Sequence, residues 1–148
     1  MTSVRPVTRQ DPAAWLAMRT ALWPDDETHS HAQEIENFFA GRLRMPLQVL
    51  VAVADAAVVG FVELSIRAYA EGCTTDRVAF LEGWYVVPGF RRQGVGRALV
   101  EAAESWGRSQ GCSEFGSDAV LDNDVSAAAH DALGFEEVVQ IRCFRKDL

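Results

Sequence analysis

Apolar positions along this chain change their spacing several times, and each change marks an element. Near the start, SVRPV reads as a short strand. In DPAAWLAMRTALW, residues 11–23, Trp15, Met18 and Leu22 recur at helical spacing, with Asp11 placed to cap the helix and Pro12 in its first turn. A polar loop, PDDETHSH, covers 24–31. A second helix is predicted over 32–44, with Ile35, Phe38 and Phe39 on one side. The period then shortens. LQVLVAVAD, 47–55, and AAVVGFVELSIR, 56–67, are apolar strands, and the short turn at Asp55 and Ala56 makes them an antiparallel hairpin. After the loop YAEGCTTDR, the run VAFLEGWYVV, 78–87, is a third long strand. Helical spacing returns over 94–111, where Val95, Leu99, Ala102 and Trp106 form the stripe and Gly111 closes the end. SEFGSD, 113–118, predicts a short strand, Asn123 to Leu133 a helix, and FEEVVQIRCFRK, 135–146, a final strand.

The order β-α-α-β-β-β-α-β-α-β contains a strand-helix-strand unit in its second half, which demands a parallel, right-handed crossover. The expected fold class is therefore α/β: a mixed central sheet, antiparallel early and parallel late, flanked by helices. With 148 residues, 49 % of them hydrophobic, the chain fits one domain over 1–148.

Two local features break the pattern. Glu82 interrupts the apolar run from Phe80 to Val87. A buried carboxylate is costly unless paired, so it points to a bound cation or a proton-carrying group; a structural ion pair, or a bulge that lets the side chain reach water, is the alternative. Directly after that strand comes RRQGVGRAL, a glycine turn leading into a helix. Backbone N–H groups at a helix start lack partners and carry partial positive charge, and Gly94 and Gly96 have no side chain to block a ligand. With Arg91, Arg92 and Arg97 alongside, this is a cradle for an anion such as a pyrophosphate. The spacing matches neither a P-loop nor a dinucleotide fingerprint.

The residues from LEGWYVVPGFRRQGVGRALV to ALGF resemble the GNAT superfamily of acetyl-CoA-dependent N-acetyltransferases. Further segments in the same order (LWPDD, GFVELSIR, YAEGC, the SD of GSD and HDALGFEE) are similar to the bacterial aminoglycoside 6'-N-acetyltransferase family. The resemblance implies a GNAT acyltransferase fold whose parallel pair of strands splays apart. It implies acetyl-CoA as co-substrate, with Val86 and Val87 giving backbone contacts to the pantetheine arm and Arg92, Gln93, Gly94, Val95, Gly96 and Arg97 holding the phosphates. Asn123 would lie on the far side of the thioester channel. Glu82 would stand beside the acceptor amine and Asp118 would be a second carboxylate gripping it, although Asp is also a common cap or turn residue. His130 lies where many GNAT enzymes carry a tyrosine that protonates the coenzyme A thiolate; an imidazole donates too, and a merely packed ring is the alternative. Trp23 and Tyr69 would form an aromatic wall, with core burial the alternative for Trp23. A homodimer, paired through edges or C-terminal strands, is also implied. Shorter spacing between Arg67 and Tyr69 and a less acidic segment near Val139 depart from the family pattern and bear on which amine is accepted.

Charge and cysteine usage narrow the partners. Fourteen basic against 21 acidic residues give −7, which disfavours nucleic acid and suits a cationic small molecule, although ordinary solubility has the same signature. No stretch is long and apolar enough to span a membrane, and the N-terminus lacks a signal-peptide layout. Cys73, Cys112 and Cys143 form no C-x-x-C pair, and His29 and His31 lack further ligands, so a cytoplasmic protein with no metal is expected. Transfer would be direct in a ternary complex, since no cysteine has a nucleophile setting. Acetylation of another amine, such as a polyamine or a protein N-terminus, and a non-catalytic acyl-CoA sensor are the rival readings.

Overall fold

The computed structural model describes residues 1–24 and 30–148. Its elements are β1 (Thr2–Pro6), α1 (Pro12–Leu22), α2 (His31–Phe39), β2 (Gln48–Ala54), β3 (Ala57–Arg67), β4 (Val78–Val86), α3 (Val95–Ser109), β5 (Phe115–Ser117) and α4 (Asp124–Ala132). The five strands form one sheet in the order β1-β2-β3-β4-β5. Neighbours are antiparallel up to β4, and β4 runs parallel to β5.

Strand alternation sends residues to two cores, one on each face. Leu50, Ala52, Val62, Leu64 and Leu81 pack beneath Val95, Leu99, Val100 and Ala103 of α3. Val49, Val51 and Phe61 face the other way, against Trp15 and Met18 of α1 and Ile35 of α2. The buried stripe of α3 is rotated from the expected one: Val100, Ala103 and Gly107 are buried, while Ala102 and Trp106 are only partly so. Gly107 lies there because an added Cβ would come 2.9 Å from the Ala79 Cβ.

Three expectations need correction. The second helix ends at Phe39 rather than 44; Gly41 follows at φ 70°, a conformation that closes helices. Asp11 stands at the start of α1 but makes no side-chain cap bond to the helix. Its carboxylate accepts instead from both Arg5 Nη atoms, at 2.8 and 2.9 Å, and from the Thr8 amide at 2.7 Å. Lastly, residues 136–148 form neither helix nor strand, so the final strand is absent and β5 ends the sheet.

The Arg5 hydrogen bonds pull the Asp11 pKa down to about 2. A depressed carboxylate stabilises the fold above its unfolded value and loses that contribution as pH falls through the folded one. Asp11→Asn is therefore expected to be less stable by about 1 kcal/mol at pH 7, a figure lowered because Arg5 is solvent-exposed in part. Urea unfolding of both proteins should show the gap full above pH about 4 and closing toward pH 2.

Candidate active site

The glycine turn stands at the start of α3, where the sequence suggests it. Arg92 at φ 60° and Gly94 at φ 85° bend the chain sharply before α3. The first helical bond there runs from the Ala98 amide to the Gly94 carbonyl, 3.0 Å. The amides of residues 92 through 97 have no hydrogen-bond acceptor among the described residues. Six free N–H groups at a helix start suit a diphosphate. A Cβ at Gly94 would meet nothing within 4 Å, so that side is open. Gly96 has another role: a Cβ added there would lie 3.2 Å from the Trp84 ring. The Arg97 guanidinium reaches the Ala132 carbonyl at 3.3 Å and so ties α3 to the end of α4, while Gln93 bonds the Gly89 carbonyl.

Beside the cradle the sheet forks. β5 pairs with β4 only at Ala79, Phe80 and Leu81, opposite Phe115, Gly116 and Ser117. From residue 82 onward β4 has no strand partner on that side among the described residues, which leaves an open edge leading from the cradle to the fork.

Across the sheet from α3 lies a cavity of ≈ 530 Å³. A β-bulge builds its rim. Glu63 pairs with Gly83 and Leu64 with Leu81, so Glu82 is the extra residue on β4. The bulge turns Glu82 and Gly83 to the same face, where the bare Gly83 admits Trp23: a Cβ there would lie 2.6 Å from the indole. Trp23, Leu22, Met45 and Pro46 give the cavity apolar walls, and Glu34 and Glu82 give it acids. Both sequence alternatives for Glu82 thus hold together with the cavity position. It stands at a bulge and is ion-paired, and it still lines the cavity. Arg67 donates to it from Nε at 2.9 Å and Nη2 at 2.7 Å, and the Ser65 hydroxyl donates as well. These bonds to Glu82, and then the charge of Asp118, raise the Arg67 pKa. The Arg67 guanidinium also lies 3.6 Å from the Phe80 ring centroid.

Below the cavity is a charged network that the sequence reading missed. Glu63, 2 % exposed, accepts from Arg19 Nε at 2.6 Å and from Trp15 Nε1 at 2.9 Å. Arg19 also donates to Glu34 and lies 3.2 Å from His31 Nδ1. Burial pushes the Glu63 carboxyl up against the pull of Arg19, whereas Glu63 and Glu34 raise the Arg19 pKa despite its burial. Stacked over His31 and 5.1 Å from the Arg19 guanidinium, Trp23 is fixed by this network as a cavity wall. The missed signal was a lone acid within the apolar GFVELSIR, the same pattern that singled out Glu82.

Other expected site residues fall differently. Asp118 is exposed, directly after β5. Tyr69 is 66 % exposed, bonds Glu71 through its hydroxyl, and lies away from the cavity lining. Val86 gives its carbonyl to Arg91 Nε at 2.7 Å; the Val87 amide is used on Val59 and its carbonyl on Phe90, so Val87 has no N–H left for a pantetheine arm. Asn123 caps α4, its side-chain oxygen accepting from the Ser126 amide at 3.0 Å. His130 faces the fork, with Nε2 2.7 Å from the Ser117 hydroxyl. The loop acids Asp25, Asp26 and Glu27, and His29, lie outside the described residues. Among the described residues no cluster of three metal-ligating side chains occurs, and no helix is long and apolar enough to cross a membrane.

A forked sheet with a helix-start anion cradle on one face and an acid-rimmed cavity on the other is the frame of a transferase that brings an acyl-CoA to a cation. Residues 14–135 match the model of the acetyltransferase (GNAT) family, and the chain belongs to that family. Among its relatives, the aminoglycoside N(6')-acetyltransferase type 1 of Klebsiella aerogenes is 58 % identical over 98 % of this chain and 96 % of its own. The aminoglycoside N-acetyltransferase AAC(6')-Iy, solved in complex with CoA, superposes with a TM-score of 0.90 at 34 % identity, covering 100 % of this chain and 96 % of that one. AAC(6')-Ih from Acinetobacter baumannii gives 0.89 at 38 % identity, covering 100 % and 99 %.

Proposed function

We propose that this protein is an acetyl-CoA-dependent aminoglycoside 6'-N-acetyltransferase, an antibiotic-resistance activity, and that acetyl passes directly to the 6'-amine in a ternary complex. The observation that carries the reading is the placement of six unfilled amides and an acid-rimmed cavity on opposite sides of one fork. The free amides of residues 92–97, with Arg92 beside them, hold the pyrophosphate. The open edge of β4 guides the pantetheine arm. Glu82 and Asp118 hold the ammonium groups of the acceptor, and Trp23 supports a sugar face. Holding both substrates at one fork removes much of the entropic barrier to their reaction.

The test is thiol release from acetyl-CoA with kanamycin, compared with an aminoglycoside that carries a 6'-hydroxyl instead of the amine. Turnover with the first and none with the second is expected. Equal turnover with both, or turnover only with polyamines or peptides, would reassign the acceptor, and binding without turnover would leave a sensor.

The active form is a homodimer working in the cytoplasm, where acetyl-CoA is made. Val138, Val139, Ile141 and Phe144 are 47 to 91 % exposed in the unpaired C-terminal segment, and β5 leaves an open sheet edge. Exposed apolar residues and an open edge are surfaces that another chain covers. Light scattering should give twice 16.3 kDa. The double change Ile141→Lys, Phe144→Glu should return the mass to that of one chain.

A further inference from the structure

Acyl transfer needs a neutral amine, because the attacking nitrogen must offer a lone pair, yet an amine in neutral water is mostly ammonium. A bare carboxylate beside that nitrogen holds the proton on it, since an opposite charge favours the charged form. A site for a polycation must therefore attract the whole molecule and still make one of its nitrogens give up a proton.

The cavity divides its charges in that way. Arg67 grips Glu82 through both oxygens, Nε on Oε1 at 2.9 Å and Nη2 on Oε2 at 2.7 Å, and the Ser65 hydroxyl donates to Oε1 as well. Such a fork is a strong, geometrically fixed ion pair, and it leaves the two side chains with no net charge. The Phe80 ring, its centroid 3.6 Å from the guanidinium carbon, fixes Arg67 from one side. The other acids keep their charge. Arg19 is shared between Glu63 and Glu34, so that corner retains a negative charge in excess. Asp118, exposed after β5, is in no ion pair among the described residues and acts on Arg67 through its charge alone.

Glu82 is also the acid at the fork. It is the first residue of β4 beyond the last pair with β5, Leu81 with Ser117. The open edge of β4 meets the cavity there, so a nitrogen held on Glu82 is the one that an acetyl group arriving along that edge reaches.

From this division of charge, and resting on the acetyltransferase reading above, we infer that Arg67 is a positioning residue that readies the reacting amine: it cancels the charge of Glu82, so that the carboxylate still orients the nitrogen by hydrogen bonding while the guanidinium repels its protonated form. The ammonium group gives its proton to solvent as it docks, and the neutral amine attacks the thioester. The remaining ammonium groups of the acceptor meet Glu34 and Asp118 and keep their protons. A fixed cation lowers the pKa of a neighbouring amine by like-charge repulsion, as it does for reactive lysines set beside a second cation. The other charged groups lining the cavity among the described residues are Arg19 of α1, Glu34 of α2 and Glu63 of β3. His31 of α2 is engaged by Arg19 and the Trp23 carbonyl, Tyr69 and Glu71 of the loop after β3 bond each other, and His130 of α4 is on Ser117 across the fork.

The test is steady-state kinetics of wild type, Arg67→Met, Arg67→Gln and Arg67→Lys against pH, with acetyl-CoA and kanamycin, or with spermidine should only that turn over. Removing a unit charge a few ångströms from the nitrogen, partly screened, changes its protonation equilibrium about tenfold, or about one pH unit. In Arg67→Met the ammonium form binds tighter and reacts less often. KM for the amine and kcat should both fall about tenfold at pH 7, while kcat/KM stays within about threefold of wild type. The rise of kcat toward alkaline pH should move up by about one unit, with kcat regaining the wild-type value above it. Arg67→Gln should do the same, and Arg67→Lys, which keeps the charge, should stay near wild type. Calorimetric titration of the coenzyme A complex with the amine, in buffers of different ionisation enthalpy, reads the same event without turnover: wild type should release more protons per molecule bound than Arg67→Met. Thermal melts confirm that the variants are folded. A higher KM in Arg67→Met and Arg67→Gln, a kcat limb left at the wild-type pH, or equal proton release overturns the role of Arg67 and leaves the acetyltransferase reading intact. Wild-type protein that acetylates no amine at all overturns both.

Discussion

Arg19→Met is expected to lower the melting temperature by about 10 °C. The change leaves Glu63 buried at 2 % exposure with Trp15 Nε1 as its one remaining close donor among the described residues. Removing one partner of a buried ion pair costs about 3–5 kcal/mol, because the other charge is left without compensation. For a chain of this size each kcal/mol is worth about 3 °C. Much of the loss should return in the double variant Arg19→Met, Glu63→Leu, which removes both charges and fills the space with apolar atoms. Calorimetric melts of the two variants decide the matter. If the double variant melted no higher than the single one, the penalty would come from lost packing around Trp23 instead of the orphaned carboxylate.

Glu82→Gln should lower kcat/KM for an aminoglycoside about 100-fold, mostly through KM, while the KM for acetyl-CoA stays the same. The substitution removes one negative charge from the cavity rim and turns an amide nitrogen toward Arg67, so an uncompensated guanidinium then faces the incoming ammonium group. A unit charge at such distances, partly screened, is worth about 2–3 kcal/mol. Raising salt should shrink the difference, since the screened part of the attraction is lost in wild type as well. In the proposed arrangement acetyl-CoA approaches from the other face and meets the amides of residues 92–97, which Glu82 does not touch. A variant that loses kcat at unchanged KM would instead mark Glu82 as a proton carrier.

Periodicity sufficed for the strands that bury both of their faces and for the helices that bury one. β3 and β4 are legible because apolar side chains fill both sides of the sheet, and α3 because its stripe faces one core. The turn at Asp55 and Ala56 is where the sequence places it, with both residues at positive φ. The final strand failed for the opposite reason. FEEVVQIRCFRK has strand-like apolar content, yet no strand of this chain pairs with it, and apolar content alone does not supply the neighbour that a strand needs. The cap role assigned to Asp11 failed because Arg5, on a different element, competes for the carboxylate more strongly than a backbone amide does.

The linear order of residues by itself determined the glycine turn, the helix that follows it and the isolated acid on β4, because these depend on local backbone sterics and on the cost of burying a charge. It also determined the family. Tertiary structure alone decided what those groups do. The bulge opposite Glu63 turns Glu82 toward the cavity, Arg67 claims its oxygens, and the fork brings Ser117 within hydrogen-bond reach of a histidine thirteen residues later. Hydrogen bonds and ion pairs form between groups that are near in space, and proximity across strands and helices is set by packing and register, which no local pattern encodes.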